Sequence, residues 1–175
     1  LSPSSEDFRM EAEFEAAFPY THWRTICFGD TDPAAIVYTA RFGDYCMEAA
    51  EVWFDRYLGQ NWANININEG RGTPVVNMEI SFSAPLRAND RLGVQVDVEK
   101  LGRSTVTLLM KGMRQGADDP EPVKCFVARF VYCFTEHGRG AVAIPTSVRD
   151  KAEQYRSACK NTHKSADACE VNDDE

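Results

Sequence analysis

From Thr39 to about Leu58, the residues Phe42, Tyr45, Cys46, Ala49, Trp53 and Tyr57 recur at three- and four-residue steps. That spacing places them in one apolar stripe along a long helix. Asp44, Glu48, Glu51, Asp55 and Arg56 fall between them, mostly on the opposite side, and Gly59 is a stop signal. A stripe this wide, built of large aromatics, calls for a sheet to bury it.

The sheet follows in the sequence. Val76, Met78, Ile80 and Phe82 alternate with polar residues, as do Leu92, Val94, Val96 and Val98. Lys100–Arg103 reads as a hairpin turn, and Ser104 to Met113 forms a third run with Val106, Leu108 and Met110 on one face. Gln115 to Pro122 is a polar loop. Val123 to Thr135 has the continuous apolar character of a strand buried on both faces. After a turn at His137–Gly140, a short strand over Ala141–Ile144 and a helix from Pro145 to about Ala158 are expected, with Thr146 or Ser147 as N-cap. An earlier strand pattern, Tyr20 to Phe28, precedes the long helix. One helix against one antiparallel sheet is a single-domain α+β layer architecture.

At 175 residues and 43% hydrophobic, the chain can bury a core without metals or disulfides. The net charge of −8 belongs to the ends: residues 1–19 and 161–175 each carry −4, and residues 20–160 are neutral. The domain is therefore expected over 20–160, between an acidic N-terminal extension (1–19) and an acidic, unstructured tail (161–175). The N-terminal stretch fits a strand or a helix about equally well. No basic stripe points to nucleic acid, and no apolar run has the length of a membrane span. A leader peptide is not expected. Six scattered cysteines without a CxxC pair are expected to be reduced, buried thiols of a cytoplasmic protein. His22, His137 and His163 lack metal spacing, so no metal is expected.

Chemistry concentrates in Gly29-Asp30-Thr31-Asp32-Pro33-Ala34-Ala35-Ile36-Val37-Tyr38. Two carboxylates sit on a turn at the seam between a strand and a helix N-terminus, where backbone N–H groups lack helical partners. Asp30 suits a structural cap. Asp32 beside such donors has what hydrolysis of an activated acyl group needs: a nucleophile or general base and an electrophilic pocket. By itself the Asp-Pro pair is equally a common turn. Glu48 and Glu51 are read as a solvated or interface face of the helix.

With that turn, the long helix, and Gly72-Thr73-Pro74-Val75-Val76 opening a strand, the chain resembles the hot-dog-fold acyl-CoA thioesterases of the 4-hydroxybenzoyl-CoA thioesterase type over about residues 20–158. The resemblance implies a helix wrapped by an antiparallel sheet, and a homodimer with sites at the interface; whether such dimers pair further into a homotetramer stays open. It implies an acyl-CoA substrate and no cofactor, coenzyme A being part of the substrate. It also implies catalysis by Asp32, an oxyanion-binding N–H at Thr39, substrate contacts at Val37, Tyr38 and Thr73, and coenzyme A phosphates near Arg103 and Ser104. Three positions depart from the family pattern. Ala35 stands where glycine is usual, Thr39 replaces an aromatic, and Leu101-Gly102 replace part of a basic cluster. The acyl group, aryl or fatty, stays open, as does the choice between nucleophile and general base for Asp32. A non-catalytic acyl-CoA-binding module and a thioesterase acting on a carrier-protein thioester are the alternatives.

Overall fold

The computed structural model describes residues 18–116, 119 and 121–170, with side chains to residue 162. The reading of residues 1–17 and 171–175 lies outside the described residues. Strand β1 (Thr21–Thr25) leads through a 3₁₀ turn at Phe28–Asp30 to α1 (Arg41–Leu58) and the short α2 (Trp62–Ile67). Then come β2 (Arg71–Gly72), β3 (Val75–Phe82), β4 (Arg91–Leu101), β5 (Thr105–Gln115), β6 (Val123–Cys133), β7 (Thr135–Glu136), β8 (Gly140–Ala141) and α3 (Thr146–Glu170).

The main sheet has the order β1-β4-β5-β6-β3, antiparallel throughout, and β2, β7 and β8 form a small second sheet. One face of the main sheet buries Leu92, Val94, Val96, Val106, Leu108, Met110, Phe126, Phe130 and Tyr132. The helix stripe of Phe42, Tyr45, Cys46, Ala49 and Trp53 lies in the same core. One close approach in the sheet requires glycine. Gly112 faces Phe126 across the β5–β6 ladder, and a Cβ at 112 would lie 2.0 Å from the Phe126 ring. At the end of α1, Gly59 takes the left-handed conformation (φ 65°), and its N–H caps Asp55 and Phe54 carbonyls.

The elements differ from the sequence reading at several ends. The first strand is shorter than the Tyr20–Phe28 pattern, because the 3₁₀ turn takes its last residues. The long helix starts at Arg41 rather than Thr39, since residues 30–38 double back before the helix begins. β6 is not buried on both faces along its length: at its middle Arg129 points outward and pairs with Glu99 at 2.8 Å, although Cys125 and Cys133 near its ends are buried. Its apolar run looked two-sided because Val127 and Val131 are half-buried on the outer face. The closing helix continues to Glu170, past the boundary that composition suggested. Among the described residues, no helix is long and apolar enough to cross a membrane.

Two features of this frame bear on function. Cys46, Cys125, Cys133 and Cys159 are buried and free, as expected, whereas Cys27 is exposed. Burial pushes the Cys46 thiol up to about 12, removing it from thiolate chemistry. The second is β3, an edge strand that leaves Val76 59%, Met78 49% and Phe82 50% exposed. Apolar residues on an open edge are a hazard unless another strand covers them.

His22 on β1 gives a pH prediction. Burial lowers its pKa below the ordinary 6.5, with Glu48 opposing and Arg24 and Arg56 adding to the fall. A folded-state pKa below the unfolded value means that the unfolded chain binds more protons in acid. Stability should therefore be lost as pH falls through the unfolded value of about 6.5. His22→Gln should flatten that part of the melting-temperature profile between pH 5 and 8; an unaltered profile would show that other groups cause the slope.

Candidate active site

The turn between β1 and α1 is a tight double-back. Tyr38 N–H donates to the Asp30 carbonyl and Asp32 N–H to the Ile36 carbonyl, both at 2.9 Å. Thr31 and Val37 form a bridge between these rungs. At the tip, the Asp32 carboxylate accepts the Ala34 N–H at 2.8 Å, an Asx turn that orients the side chain. Ala35 then has φ 60°. This is the left-handed conformation that glycine adopts freely and alanine only under strain. Ala35→Gly should relieve it and raise the unfolding free energy by about 1 kcal/mol, or about 2–4 °C in melting temperature. An unchanged or lower melting temperature would mean that the entropy lost by glycine on folding cancels the gain.

Asp30 is the anchor of the turn. It is 8% exposed, and its carboxylate accepts the Cys27 N–H at 3.1 Å and the Arg24 Nη2–H at 3.2 Å. Arg41, the first residue of α1, lies 3.6 Å away on the other carboxylate oxygen. The cap role expected for Asp30 is thus what the structure shows. Arg24 continues through Nη1 to Glu48 Oε2 at 2.6 Å and stacks over the Tyr45 ring at 4.1 Å. Burial works against the Arg24 charge, but the Glu48 hydrogen bond and the charges of Glu48 and Asp30 outweigh it and raise its pKa. Burial, with Asp30 adding to it, keeps the Tyr45 phenol protonated. Glu48 is therefore an ion-pair partner of β1, while its side chain stays half exposed on the helix face expected to be solvated.

Beside the turn is an apolar cleft of about 310 Å³, lined by Ile36, Val37, Thr39, Phe42, Phe82 and Leu86 among others. Asp32 sits across one backbone rung from its wall at Ile36. The N–H groups of Thr39 and Ala40, just ahead of α1, meet no acceptor among the described residues. Tyr38 is 58% exposed beside the cleft rather than in its wall. The structure thus brings Asp32, Val37, Tyr38 and Thr39 together at one end of the sheet.

It places Thr73, Arg103 and Ser104 at the other end. Thr73 is buried just before β3, while Arg103 and Ser104 form the β4–β5 hairpin. The 11 residues of β4 separate the two ends, roughly 35 Å at strand spacing. Arg103 lines a second cleft of about 510 Å³ together with Arg71 and Arg139, neither singled out from sequence. Arg71 pairs with Glu69, and Arg139 with Glu136 at 2.9 Å. Among the described residues, no group of His, Cys, Asp and Glu side chains could hold a metal ion. Sequence reasoning also missed Arg24. A lone cation within a strand pattern carries no periodic signal for a contact made across to a helix.

Comparisons with known proteins identify the family and the fold. Residues 26–152 match the thioesterase-like superfamily, and the chain belongs to that family. It is 35% identical over 95 residues to a 1,4-dihydroxy-2-naphthoyl-CoA hydrolase of Thermosynechococcus vestitus, covering 54% of this chain and 64% of that protein. It is 30% identical over 102 residues to the hydrolase of the same name from Picosynechococcus sp., covering 58% and 68%. The match thus spans about two-thirds of these relatives' length. Among solved structures, a thioesterase superfamily protein from Jannaschia sp. CCS1 superposes with TM-score 0.70 at 27% identity, covering 78% of this chain and 92% of that one. The 4-hydroxybenzoyl CoA thioesterase from Pseudomonas sp. strain CBS-3 has TM-score 0.68 at 22% identity, covering 75% and 96%, and shares the hot-dog fold.

Proposed function

We propose that the protein is an acyl-CoA thioesterase, hydrolysing an acyl-CoA to the free acid and coenzyme A. One observation carries the reading: an oriented carboxylate, Asp32, on the same tight turn that supplies the cleft wall at Ile36, Val37 and Thr39 and two uncommitted backbone N–H groups at Thr39 and Ala40. The N–H of Thr39 polarises the thioester carbonyl and holds the oxyanion as it develops. Either Asp32 attacks the carbonyl carbon, expelling the coenzyme A thiolate and leaving an aspartyl–acyl anhydride that water then hydrolyses to the free acid, or Asp32 takes a proton from the water that attacks the carbonyl and the C–S bond breaks. In both routes the proton released by water ends on the coenzyme A thiol. A thioester is already activated, so this route calls for no cofactor or metal. The hydrolase names of its relatives support the same class.

None of the cleft's lining residues is charged. An uncharged acyl group, aryl or fatty, suits such a wall, because a buried carboxylate would go unpaired. Val37 and Thr39 would contact it directly, and Tyr38 would flank the entrance. The deciding experiment follows thiol release from a panel of aryl-, fatty- and dicarboxylyl-CoA esters, with acyl-pantetheine and carrier-protein thioesters alongside. Release from aryl or fatty CoA esters supports the reading. Silence across the panel, with acyl-CoA binding retained, would mean a binding module. Activity confined to carrier-protein esters would move the substrate.

Assembly completes the site. Two copies paired antiparallel along their β3 edges would cover Val76, Met78 and Phe82, and would bring the Thr73 and Arg103 end of one subunit toward the Asp32 end of the other. The guanidinium of Arg103 then meets the coenzyme A phosphates, with Ser104 beside it. Arg103→Ala should raise KM with kcat little changed, since phosphate binding is common to ground and transition states. The penalty should shrink as salt rises. Equal KM values for parent and variant would place the phosphates elsewhere. A reducing, cytoplasmic setting fits the buried thiols.

A further inference from the structure

We propose that Arg24 is a positioning residue of this site, clamping the catalytic turn to α1. The proposal rests on the thioesterase reading of Asp32. Arg24 joins three elements at once: its own strand β1, the turn through Asp30 and the helix through Glu48. The side chain is only 18% exposed, and that of Asp30 11%, whereas Glu48 is 48% exposed. The Glu48 arm is the shorter, 2.6 Å against 3.2 Å, but water reaches it; the Asp30 arm is longer and shielded, so the clamp draws on both.

Asp30 transmits the clamp in two directions. Along the chain, it is two residues from Asp32. Across the turn, its carbonyl takes the Tyr38 N–H at 2.9 Å, immediately before the Thr39 donor. A shift of Asp30 moves the carboxylate and the oxyanion donor relative to each other. Reactions that depend on a near-attack geometry lose about 10²-fold for a misplacement near 1 Å. The arrangement also carries a cost: Arg24 Nε is buried with no hydrogen-bond partner among the described residues.

The test compares Arg24→Met, Arg24→Lys and, as a control, Arg129→Met on the outer face of the sheet. Each is measured for kcat, KM and amide exchange at Val37 and Tyr38. Arg24→Met should lose about 10–100-fold in kcat with KM nearly unchanged, and exchange at Tyr38 should quicken at least about tenfold, because the rung to Asp30 loosens. Arg24→Lys keeps the charge but not the two-armed fork, and should fall between. It also serves if the Met variant fails to fold. The control should behave as the parent. A folded Arg24→Met with parental kcat overturns the proposal, as does a rise in KM alone, which would make Arg24 a binding residue. Lost kcat with unchanged exchange overturns it too. Should the parent hydrolyse no acyl-CoA, the function reading fails by itself, and the exchange measurement still decides the clamp: unaltered exchange refutes it.

Discussion

Asp32→Asn is expected to give a folded protein that binds acyl-CoA and turns it over roughly 10²–10⁴ times more slowly than the parent, the scale of losing a positioned acid–base group. Asparagine keeps Oδ1, so the 2.8 Å bond from the Ala34 N–H and the Asx turn survive. What is lost is the negative charge, and with it both the nucleophile and the base. A covalent route should show the larger loss, because the amide cannot form the anhydride. Asp30→Asn should behave differently. It weakens bonds that Asp30 makes to Arg24 and Cys27, so it should cost melting temperature before it costs chemistry. Single-turnover kinetics with the preferred ester would separate binding from the chemical step. An Asp32→Asn enzyme running near the parental rate while Glu48→Gln is dead would move catalysis to the helix.

The paired substitution Val76→Glu with Met78→Glu should abolish activity without unfolding the subunit. Both side chains are about half exposed, so each lies on the surface of a single chain and its replacement leaves the core intact. In an antiparallel β3 pair, four like charges would be brought together in a desolvated interface, which association cannot offset. Light scattering should then report a monomer, against a dimer or larger expected for the parent. Activity should fall at least about 100-fold, since neither subunit holds both ends of the site. Subunit mixing adds a positive result. Asp32→Asn and Arg103→Ala chains, each impaired when assayed by itself at low substrate, should recover activity when mixed, because hybrid dimers contain one intact composite site. A parent that is a clean monomer with full activity would sink the shared-site arrangement.

Much of this was legible in the chain itself. The three- and four-residue spacing of Phe42 to Trp53 and the alternation through Leu92–Val98 and Val106–Met110 identify a helix and strands by period alone, because one buried face imposes that period on local sequence. Gly59 as a stop and Asp30 as a cap were readable for a related reason: backbone conformation at a turn is decided within a few residues, whereas Ala35 stood out only through the family resemblance and its strain only through its φ of 60°. The doubling back of residues 30–38 was not. It depends on rungs between Asp30 and Tyr38 and on the Val37 bond to Leu86, partners that no periodicity announces.

What only the tertiary structure decided concerns distance. By sequence and resemblance, Asp32, Thr39, Thr73, Arg103 and Ser104 belong to one site. In the folded chain, Asp32 and Thr39 stand at one end of the sheet and the other three at the opposite end. Strand pairing fixes this, because antiparallel register sets which ends meet, and register is settled by the whole sheet rather than by any segment. The sequence determined the elements, the turn and the carboxylate. The fold determined that Arg24 bonds that turn to α1 through Asp30 and Glu48, that Arg71 and Arg139 line one cleft with Arg103, and that β3 leaves an exposed apolar edge.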